Sequence, residues 1–218
     1  MPVIDLDLIA REVVAPGTKT LQRLADTFGQ DIIQQDGTLN RGELGRRAFA
    51  SREETKKLNS ITHSAIRRVM AWRIIALWLC GARRVVVDTP LLVEAGLYRY
   101  CAQVIIVWAT EQQQLERMLQ RDSQKGITLE DAKTRLGAQK PLAEKLAFAD
   151  VVINNESESS DGSTVNKQVD QLVSEWRRRD KSVLSTIVWL VCWLCPPVGL
   201  LYGAAVIRCR ARRARKNA

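Results

Sequence analysis

The sequence is poor in the residues that mark the specialised classes of protein. Only 12 of its 218 residues are glycine and 6 are proline, which excludes collagen-like chains and Pro/Gly-rich low-complexity chains. The five cysteines are odd in number and widely spaced, and no secretory signal peptide precedes them. We therefore expect reduced thiols in a reducing compartment rather than a disulfide scaffold. With 46% apolar and 26% charged residues, the chain is expected to form one globular domain and has room for an appendage.

Excess charge is absent from most of the chain. The formal net charge is +9, but ten of the 33 Lys and Arg residues and only one of the 24 acidic residues lie within residues 177–218. Residues 1–176 are therefore neutral in sum. A basic domain for binding nucleic acid is not indicated, and we predict no nucleic-acid partner. Nothing in the sequence indicates an oligomeric state.

One stretch contains no charged residue at all. Residues 183–207, VLSTIVWLVCWLCPPVGLLYGAAVI, lie between two basic clusters. As one helix they would extend about 37 Å, more than the roughly 30 Å of a hydrocarbon layer. Pro196 and Pro197 interrupt the run, so a kinked span and a hairpin both remain open. We predict attachment to an intracellular membrane, that of the endoplasmic reticulum or the mitochondrial outer membrane, with the body facing the cytosol. The predicted segments are the body at 1–176, a basic linker at 177–182, the membrane segment at 183–207 and a basic tail at 208–218.

The body alternates short apolar strands with amphipathic helices. Runs of β-branched residues predict strands near residues 2–7, 83–92, 101–109 and 150–154. Helical spacing of apolar residues predicts helices that include 51–79, 111–121 and 166–176. Such alternation predicts an α/β fold with a largely parallel sheet. Folds of this kind bind ligands at the carboxyl ends of their strands, so acidic residues that end a strand are candidate site residues.

Two predicted strands end in aspartate. Asp88 follows a run of valines and has the form of a Walker B acid, which holds Mg²⁺ during phosphoryl transfer. A turn aspartate at a strand end is the alternative interpretation. Asp5 and Asp7 follow the first strand and could include a base that accepts a substrate hydroxyl proton. Taken by itself, this pair is more simply explained as the N-cap of the next helix.

Basic side chains cluster on both sides of the sequence QKG at 124–126. Cationic lids that close over phosphates are built in this way, because the charge on a transferring phosphoryl group needs mobile positive partners. Solvated helix faces have a similar pattern, so the cluster alone leaves both interpretations open. His63, the only histidine, is more simply a satisfied, partly buried residue than a catalyst. The basic residues of the cluster are Arg117, Arg121, Arg135, Lys140 and Lys145.

Seven motifs follow one another along the body of the chain. They are VIDLDLIAREVVAPG, FGQDII, DGTLNRGELGRRAF, LNSITHSAI, VVVDTPLLVEAGL, QLERMLQRD and AKTRLGAQKPLAEKLAFADVVINN. In this order they closely resemble the motifs of dephospho-CoA kinases, over about residues 2–176. The resemblance implies a P-loop kinase fold like that of nucleoside monophosphate kinases, a three-layer fold with a parallel sheet.

The resemblance also implies a nucleotide-binding core, a helical CoA-binding region and a lid. It implies phosphorylation of the ribose 3′-hydroxyl of dephospho-CoA by ATP, with Mg²⁺ bound to the ATP. Eukaryotic members resemble this chain further in carrying a hydrophobic C-terminal segment.

The resemblance implies a role for each matching residue. Asp5 matches the candidate base beside the acceptor ribose, with Asp7 next to it, and Asp88 matches the acid that holds the metal. Two small departures from the family pattern are Leu6, between the aspartates, and Ser64, after the histidine. The positions matching the acceptor-side helical region are Asn40, Arg41 and His63. Those matching the lid and the ATP side are Arg117, Arg121, Arg135, Gln139, Lys145 and Asn154.

The glycine-rich loop of the family, G-x-x-x-x-G-K-[ST], has no match in the sequence. Gly37 and Gly42 have the spacing of its two glycines, but Glu43 follows them and no lysine does. The loop cradles the ATP phosphates with backbone N–H groups and its lysine. Met1 stands where the second strand of the family would start. We therefore expect that a missed exon or mis-assigned start removed the first strand and the loop, or that this is a genuine short isoform. Their loss would leave unpaired strand edges.

Two other functions remain open from the sequence. The chain could be another nucleoside or nucleotide monophosphate kinase, since a strand-end acid and an arginine lid suit both reactions. It could instead be a catalytically dead, membrane-tethered binding protein that keeps part of the CoA pocket, because the phosphate-binding loop is not found in it.

Overall fold

Two compact units, Met1–Pro90 and Leu91–Ala218, make up the chain. The computed structural model describes residues 1–121, 128–156 and 163–216, without the side chains of Arg135 and of residues 213–216. Each unit contains a pair of parallel strands with helices between or after them. This arrangement confirms the predicted α/β fold with parallel strand pairing.

The first unit pairs its first strand with its last. Strand β1 is Val3–Asp5 and runs parallel to β2, Val86–Asp88. The core beneath these strands is apolar and includes the fully buried side chains of Ile9, Leu24 and Ile32. The helices between the strands are α1 Leu6–Glu12, α2 Lys19–Phe28, α3 Arg41–Ala48 and α4 Arg52–Leu79.

Each helix of the first unit begins at a side chain that accepts a backbone N–H group. Asp5 caps α1, Thr18 caps α2, Asn40 caps α3 and Ser51 caps α4. The first N–H groups of a helix have no partner within the helix, so such caps fix where it starts. Two of the four caps, Asp5 and Asn40, are also residues to which the family resemblance gives a role in the site.

The second unit contains the other strand pair and six helices within its described part. Strand β3 is Ile105–Trp108 and pairs in parallel with β4, Val151–Asn154. Thr128 and Asp131 form a reciprocal capping box at the start of the second of these helices. The helices are α5 Glu111–Arg121, α6 Leu129–Gly137, α7 Leu142–Lys145, α8 Ser163–Asp180, α9 Val183–Leu194 and α10 Pro196–Lys216.

The apolar run at 183–207 forms two helices instead of one. The first, α9, ends at Leu194 and the second, α10, starts at Pro196, because proline cannot continue the hydrogen-bond ladder of the preceding helix. The two helices pack closely, since a Cβ at Gly199 would lie 2.7 Å from the carbonyl oxygen of Cys192. Leu184, Leu200 and Leu201 stay more than 70% exposed. The fold of the chain therefore does not bury these three apolar side chains.

The prediction of a membrane segment, and with it the predicted location at an intracellular membrane, is wrong. Among the described residues, no helix combines the length and the apolar character needed to cross a bilayer. The apolar helix α9 has 12 residues, which extend only about 18 Å. The longer α10 includes several arginines. The domain boundaries predicted around this segment stay predictions, although α8 continues beyond residue 176 and α10 beyond residue 207.

Arg210, in the segment predicted as a basic tail, is bound to the second unit. Its Nε donates to Asp150 Oδ2 at 2.5 Å, and its Nη1 and Nη2 donate to the carbonyl oxygens of Tyr98 at 2.8 Å and Phe148 at 2.9 Å. The side chain is only 11% exposed. The same Asp150 oxygen accepts the backbone N–H of Val104 at 2.7 Å. Arg210 therefore fixes α10 to the residues that lead into β3 and β4.

We expect Arg210→Met to lower the free energy of unfolding by about 2–4 kcal/mol, because it removes the charged partner of Asp150 and the donors to two carbonyl oxygens. Urea-induced unfolding followed by tryptophan fluorescence measures the change. The matched control is Arg212→Met, which removes the same charge from an exposed position of α10 and should cost less than about 0.5 kcal/mol. Equal losses in the two variants would show that net charge, and not the Arg210 contacts, stabilises the fold.

Candidate active site

The carboxyl ends of β1 and β2 bring two aspartates together. Asp5 and Asp88 are register partners at the last position of their strands. Neighbouring strands lie about 4.8 Å apart, and the side chains of register partners leave the sheet on the same face. The two carboxylates are therefore neighbours at one edge of the strand pair. The sequence predicted both residues as site residues, and the strand register places them side by side.

Asp5 uses one carboxylate oxygen as a helix cap. Its Oδ1 accepts the backbone N–H groups of Asp7 at 2.8 Å and Leu8 at 3.0 Å. Within the described part of the chain, no group donates a hydrogen bond to Oδ2. The two interpretations of Asp5 are thus compatible, because the cap orients the carboxylate and leaves its second oxygen available. Asp7 lies exposed in the first turn of α1, where an acidic side chain also favours the helix N-terminus.

The predicted acceptor-side residues lie at the start of α3 and within α4. Asn40 accepts the backbone N–H of Glu43 at 3.0 Å, and Arg41 lies exposed at the start of α3. His63 lies exposed on α4. Partial desolvation by the surrounding chain, together with the guanidinium of Arg67, lowers the pKa of His63. No hydrogen bond links Asn40, Arg41 or His63 within the described residues, so their shared role stays a prediction.

Sequence reasoning missed Arg47, which organises the loop before α3. Its Nε donates to Glu43 Oε1 at 2.6 Å, its Nη1 donates to the carbonyl oxygen of Phe28 at 2.5 Å, and its Nη2 pairs with Asp31. The hydrogen bond from Arg47 lowers the pKa of Asp31. Gly29 has a φ of +104° and lies so close to the guanidinium that a Cβ would collide with it. The motifs FGQDII and DGTLNRGELGRRAF are therefore joined through one arginine.

The carboxyl ends of β3 and β4 form a second polar edge. Trp108 and Asn154 are register partners there. Glu156 binds both, since its Oε1 accepts Trp108 Nε1 at 2.6 Å and its Oε2 accepts Asn154 Nδ2 at 3.3 Å. Gln113 on α5 donates to the carbonyl oxygen of Glu156 at 2.9 Å. The sequence predicted Asn154 but not Trp108 or Glu156, because neither stands at a periodic or motif position that indicates chemistry.

The predicted lid arginines lie on two helices. Arg117 is exposed on α5, and its Nη2 donates to the carbonyl oxygen of Asn155 at 2.9 Å. Arg121 ends the same helix and is also exposed. Arg135 belongs to α6, but its side chain lies outside the described residues, as does the QKG sequence at 124–126. The structure therefore places Arg117 and Arg121 on one helix beside the polar edge of β3 and β4.

A cavity of about 310 Å³ lies beside this edge, and we call it the lid cavity. Its volume is within the range of small-molecule sites, and its wall combines apolar side chains with two lysines and two amides. Lys145 and Gln139, both predicted as ATP-side residues, contribute to this wall. The lining residues are Trp108, Ala109, Glu111, Gln114, Leu136, Gly137, Gln139, Lys140, Pro141, Leu142, Ala143 and Lys145.

Lys145 is held at this wall by Glu94. Its Nζ lies 2.8 Å from Glu94 Oε1, and only 8% of the lysine side chain is exposed. Glu94 Oε1 also accepts the backbone N–H of Lys140 at 3.0 Å. Burial acts to raise the pKa of Glu94, but the hydrogen bonds from Lys145 and from backbone N–H groups outweigh it, and the pKa is lowered. Glu94 is the last residue of the sequence PLLVE, which follows shortly after Asp88. Only the fold shows that Lys145 is its partner.

Comparison with known proteins identifies relatives over most of the chain. The family model described as dephospho-CoA kinase matches residues 1–161. A dephospho-CoA kinase from Geobacillus kaustophilus is 39% identical over 181 residues, which cover 83% of this chain and 87% of that protein. A dephospho-CoA kinase from Arabidopsis thaliana is 33% identical over 193 residues, which cover 88% and 78%.

Solved structures share the fold. A Thermus thermophilus protein matches with a TM-score of 0.65 at 24% identity, covering 80% of this chain and 84% of that chain. A dephospho-CoA kinase from Campylobacter jejuni matches with a TM-score of 0.58 at 28% identity, covering 81% and 87%. The parallel strand pairs and their helices therefore follow an architecture already seen in such kinases.

Proposed function

The chain belongs to the dephospho-CoA kinase family, and from that premise we propose a role in phosphoryl transfer for its strand-end aspartates and another for its lid cavity. By family it is a phosphotransferase that uses ATP to phosphorylate the ribose 3′-hydroxyl of dephospho-CoA. This reaction is the final step of coenzyme A biosynthesis. The assignment of residues rests on one observation: Asp5 and Asp88 are register partners at the carboxyl ends of two parallel strands.

We assign Asp5 as the base that receives the proton of the 3′-hydroxyl. Two backbone N–H groups of α1 hold its Oδ1, which gives Oδ2 a defined direction. As the ribose oxygen bonds to the γ-phosphorus of ATP, the bond to the leaving ADP oxygen breaks and the hydroxyl proton passes to Oδ2. A base held in this position acts within hydrogen-bond reach of its proton, as general-base catalysis requires. Asp7 and the acceptor-side residues Asn40, Arg41 and His63 are proposed to line the dephospho-CoA side.

Asp88 is the proposed protein ligand of Mg²⁺. This ion binds proteins through one or two carboxylates and takes its other ligands from phosphates and water. The described residues contain no group of three or more side chains able to hold a metal, and the single carboxylate of Asp88 at the end of β2 fits this smaller set of protein ligands. When bound with ATP, the ion would neutralise charge on the phosphoryl oxygens. Asp88 thus fits the ion that the kinase family implies.

The lid cavity is the proposed ATP side of the reaction. Gln139 and Lys145 lie on its wall, and Asn154 ends the neighbouring strand. The arginines proposed to reach the phosphates are Arg117, Arg121 and Arg135, since mobile cations stabilise the charge that spreads over a transferring phosphoryl group. We further propose that transfer at full rate needs a glycine-rich loop, which no segment of this sequence supplies.

The test of this function uses a loop-extended chain, in which the first strand and glycine-rich loop typical of the family precede Met1. We expect it to convert dephospho-CoA and ATP into coenzyme A and ADP, with the new phosphate on the ribose 3′-oxygen. Mass spectrometry of the products measures the reaction. Coenzyme A itself is the control acceptor, because its 3′-oxygen is already phosphorylated and it should give no turnover.

Two outcomes would contradict the proposal. Faster phosphorylation of AMP or another nucleoside monophosphate than of dephospho-CoA would identify a different nucleotide kinase with the same lid chemistry. Binding of dephospho-CoA without turnover of any acceptor, even in the loop-extended chain, would identify a binding protein that has lost catalysis.

A further inference from the structure

We propose that Glu94 is a positioning residue of the nucleotide site, and that its carboxylate holds Lys145 and the backbone of Lys140 on the wall of the lid cavity. The inference rests on the proposed function, in which that cavity receives ATP. It assigns no contact between Glu94 and the nucleotide. Glu94 acts through the lysine that it holds.

One oxygen of Glu94 fixes both ends of the segment 140–145. Oε1 accepts the backbone N–H of Lys140 at 3.0 Å and lies 2.8 Å from Lys145 Nζ. Lys145 Nζ also donates to Gln139 Oε1 at 3.4 Å. Gln139, Lys140 and Lys145 all line the cavity, together with most of the residues between them. A single carboxylate therefore determines where this part of the wall lies.

Stability alone is a poor explanation for this pair. Glu94 is 20% and Lys145 8% exposed, and desolvation of two charges offsets most of their attraction, so an apolar pair of similar size would stabilise the fold as well. Glu94 Oε2 is also buried, and no group in the described part of the chain donates a hydrogen bond to it. An ion pair can do what an apolar pair cannot: it holds an ammonium group in one direction beside a cavity. That property matters at a site where an ammonium group must contact phosphate oxygens.

The first experiment measures the position of Lys145 without any ligand. The full chain is treated briefly with acetic anhydride, and mass spectrometry gives the acetylation rate of each lysine. We expect Glu94→Ala to raise the rate at Lys145 by about tenfold, because the ammonium loses the partner that keeps it buried, and Glu94→Gln to raise it less. Lys133, which is exposed on α6, is the internal reference. An unchanged rate at Lys145 in Glu94→Ala overturns the proposal.

The matched control is Glu144→Ala, which removes an exposed carboxylate next to Lys145 that does not line the cavity. It should leave the acetylation of Lys145 unchanged. Thermal unfolding of each variant shows whether it is folded at the temperature of the reaction. If Glu94→Ala unfolds, the comparison of Glu94→Gln with Glu144→Gln decides the question, because both variants keep the size of the side chain.

The second experiment measures ATP binding to the same full chain by titration calorimetry. We expect Glu94→Ala to weaken ATP binding by about tenfold and to have a much smaller effect when Lys145 is already methionine, since only the contact of Glu94 with the backbone of Lys140 is then left to lose. An equal loss in both backgrounds would mean that Glu94 acts independently of Lys145 and would overturn the proposal. Absence of ATP binding by the wild-type chain would count against the proposed ATP side of the cavity, whereas the acetylation result would still decide the role of Glu94.

Discussion

Asp5→Asn should lower the rate of phosphoryl transfer by the loop-extended chain about 10²–10⁴-fold, the usual cost of losing a general base. An amide has the shape of the carboxylate and can still accept a backbone N–H, so the cap of α1 should survive. It cannot accept the proton of the ribose hydroxyl. The affinity for dephospho-CoA should therefore change little while the catalytic rate falls.

The measurement separates the rate at saturating substrate from the affinity for dephospho-CoA. Asp7→Asn serves as the comparison, because Asp7 is exposed two residues further along the same chain segment. A larger loss in Asp7→Asn than in Asp5→Asn would make Asp7 the base. If Asp5→Asn kept more than roughly a third of the rate, Asp5 would serve only as a helix cap.

A change in stability is the other way in which Asp5→Asn could act, and it can be measured separately. Asparagine is about as good an N-cap as aspartate, so the free energy of unfolding should change by less than about 0.5 kcal/mol. Asp5→Ala removes the cap and should cost about 1 kcal/mol. A loss of rate in Asp5→Asn with unchanged stability would thus be chemical in origin.

The two strand-end aspartates could be proposed from the sequence because each of them ends a local pattern. A run of β-branched residues that ends in aspartate indicates a buried strand and the edge at which it stops, and the parallel pairing of β1 with β2 then makes neighbours of Asp5 and Asp88. The pairing of β1 with β2 joins distant parts of the sequence, so the structure and not the sequence showed it. The family resemblance added the role of each aspartate, which the pattern alone left open.

The errors and omissions involve contacts between distant parts of the sequence. The apolar run at 183–207 has the composition of a membrane segment, but composition does not show that Arg210, just after it, binds Asp150. Glu94 was missed for the same reason, because its partner Lys145 is distant along the chain and joined to it only by the fold. Ion pairs of this kind have no sequence period, so hydrophobic patterning cannot reveal them.

The largest expected effect concerns the glycine-rich loop. We expect the 218-residue chain alone to transfer phosphate from ATP to dephospho-CoA at least about 10³-fold more slowly than the loop-extended chain. Loss of a single preorganised donor to developing charge typically costs about 10²–10³-fold. The loop supplies several backbone N–H groups and a lysine, so its effect should be at least as large.

Positioning explains why the remaining residues cannot replace the loop. Phosphoryl transfer requires little covalent chemistry from the protein. It depends on alignment of the attacking and leaving oxygens and on stabilisation of charge. In the proposed mechanism Asp5 and Asp88 act on the acceptor and the metal through their side chains, and the lid cations also act through side chains, so none of them forms a backbone cradle. In the loop-extended chain, exchanging the loop lysine for methionine should remove most of the gain. Equal rates for the chain with and without the loop would show that other residues bind the phosphates, and the lid cavity with Lys145 would be the first place to look.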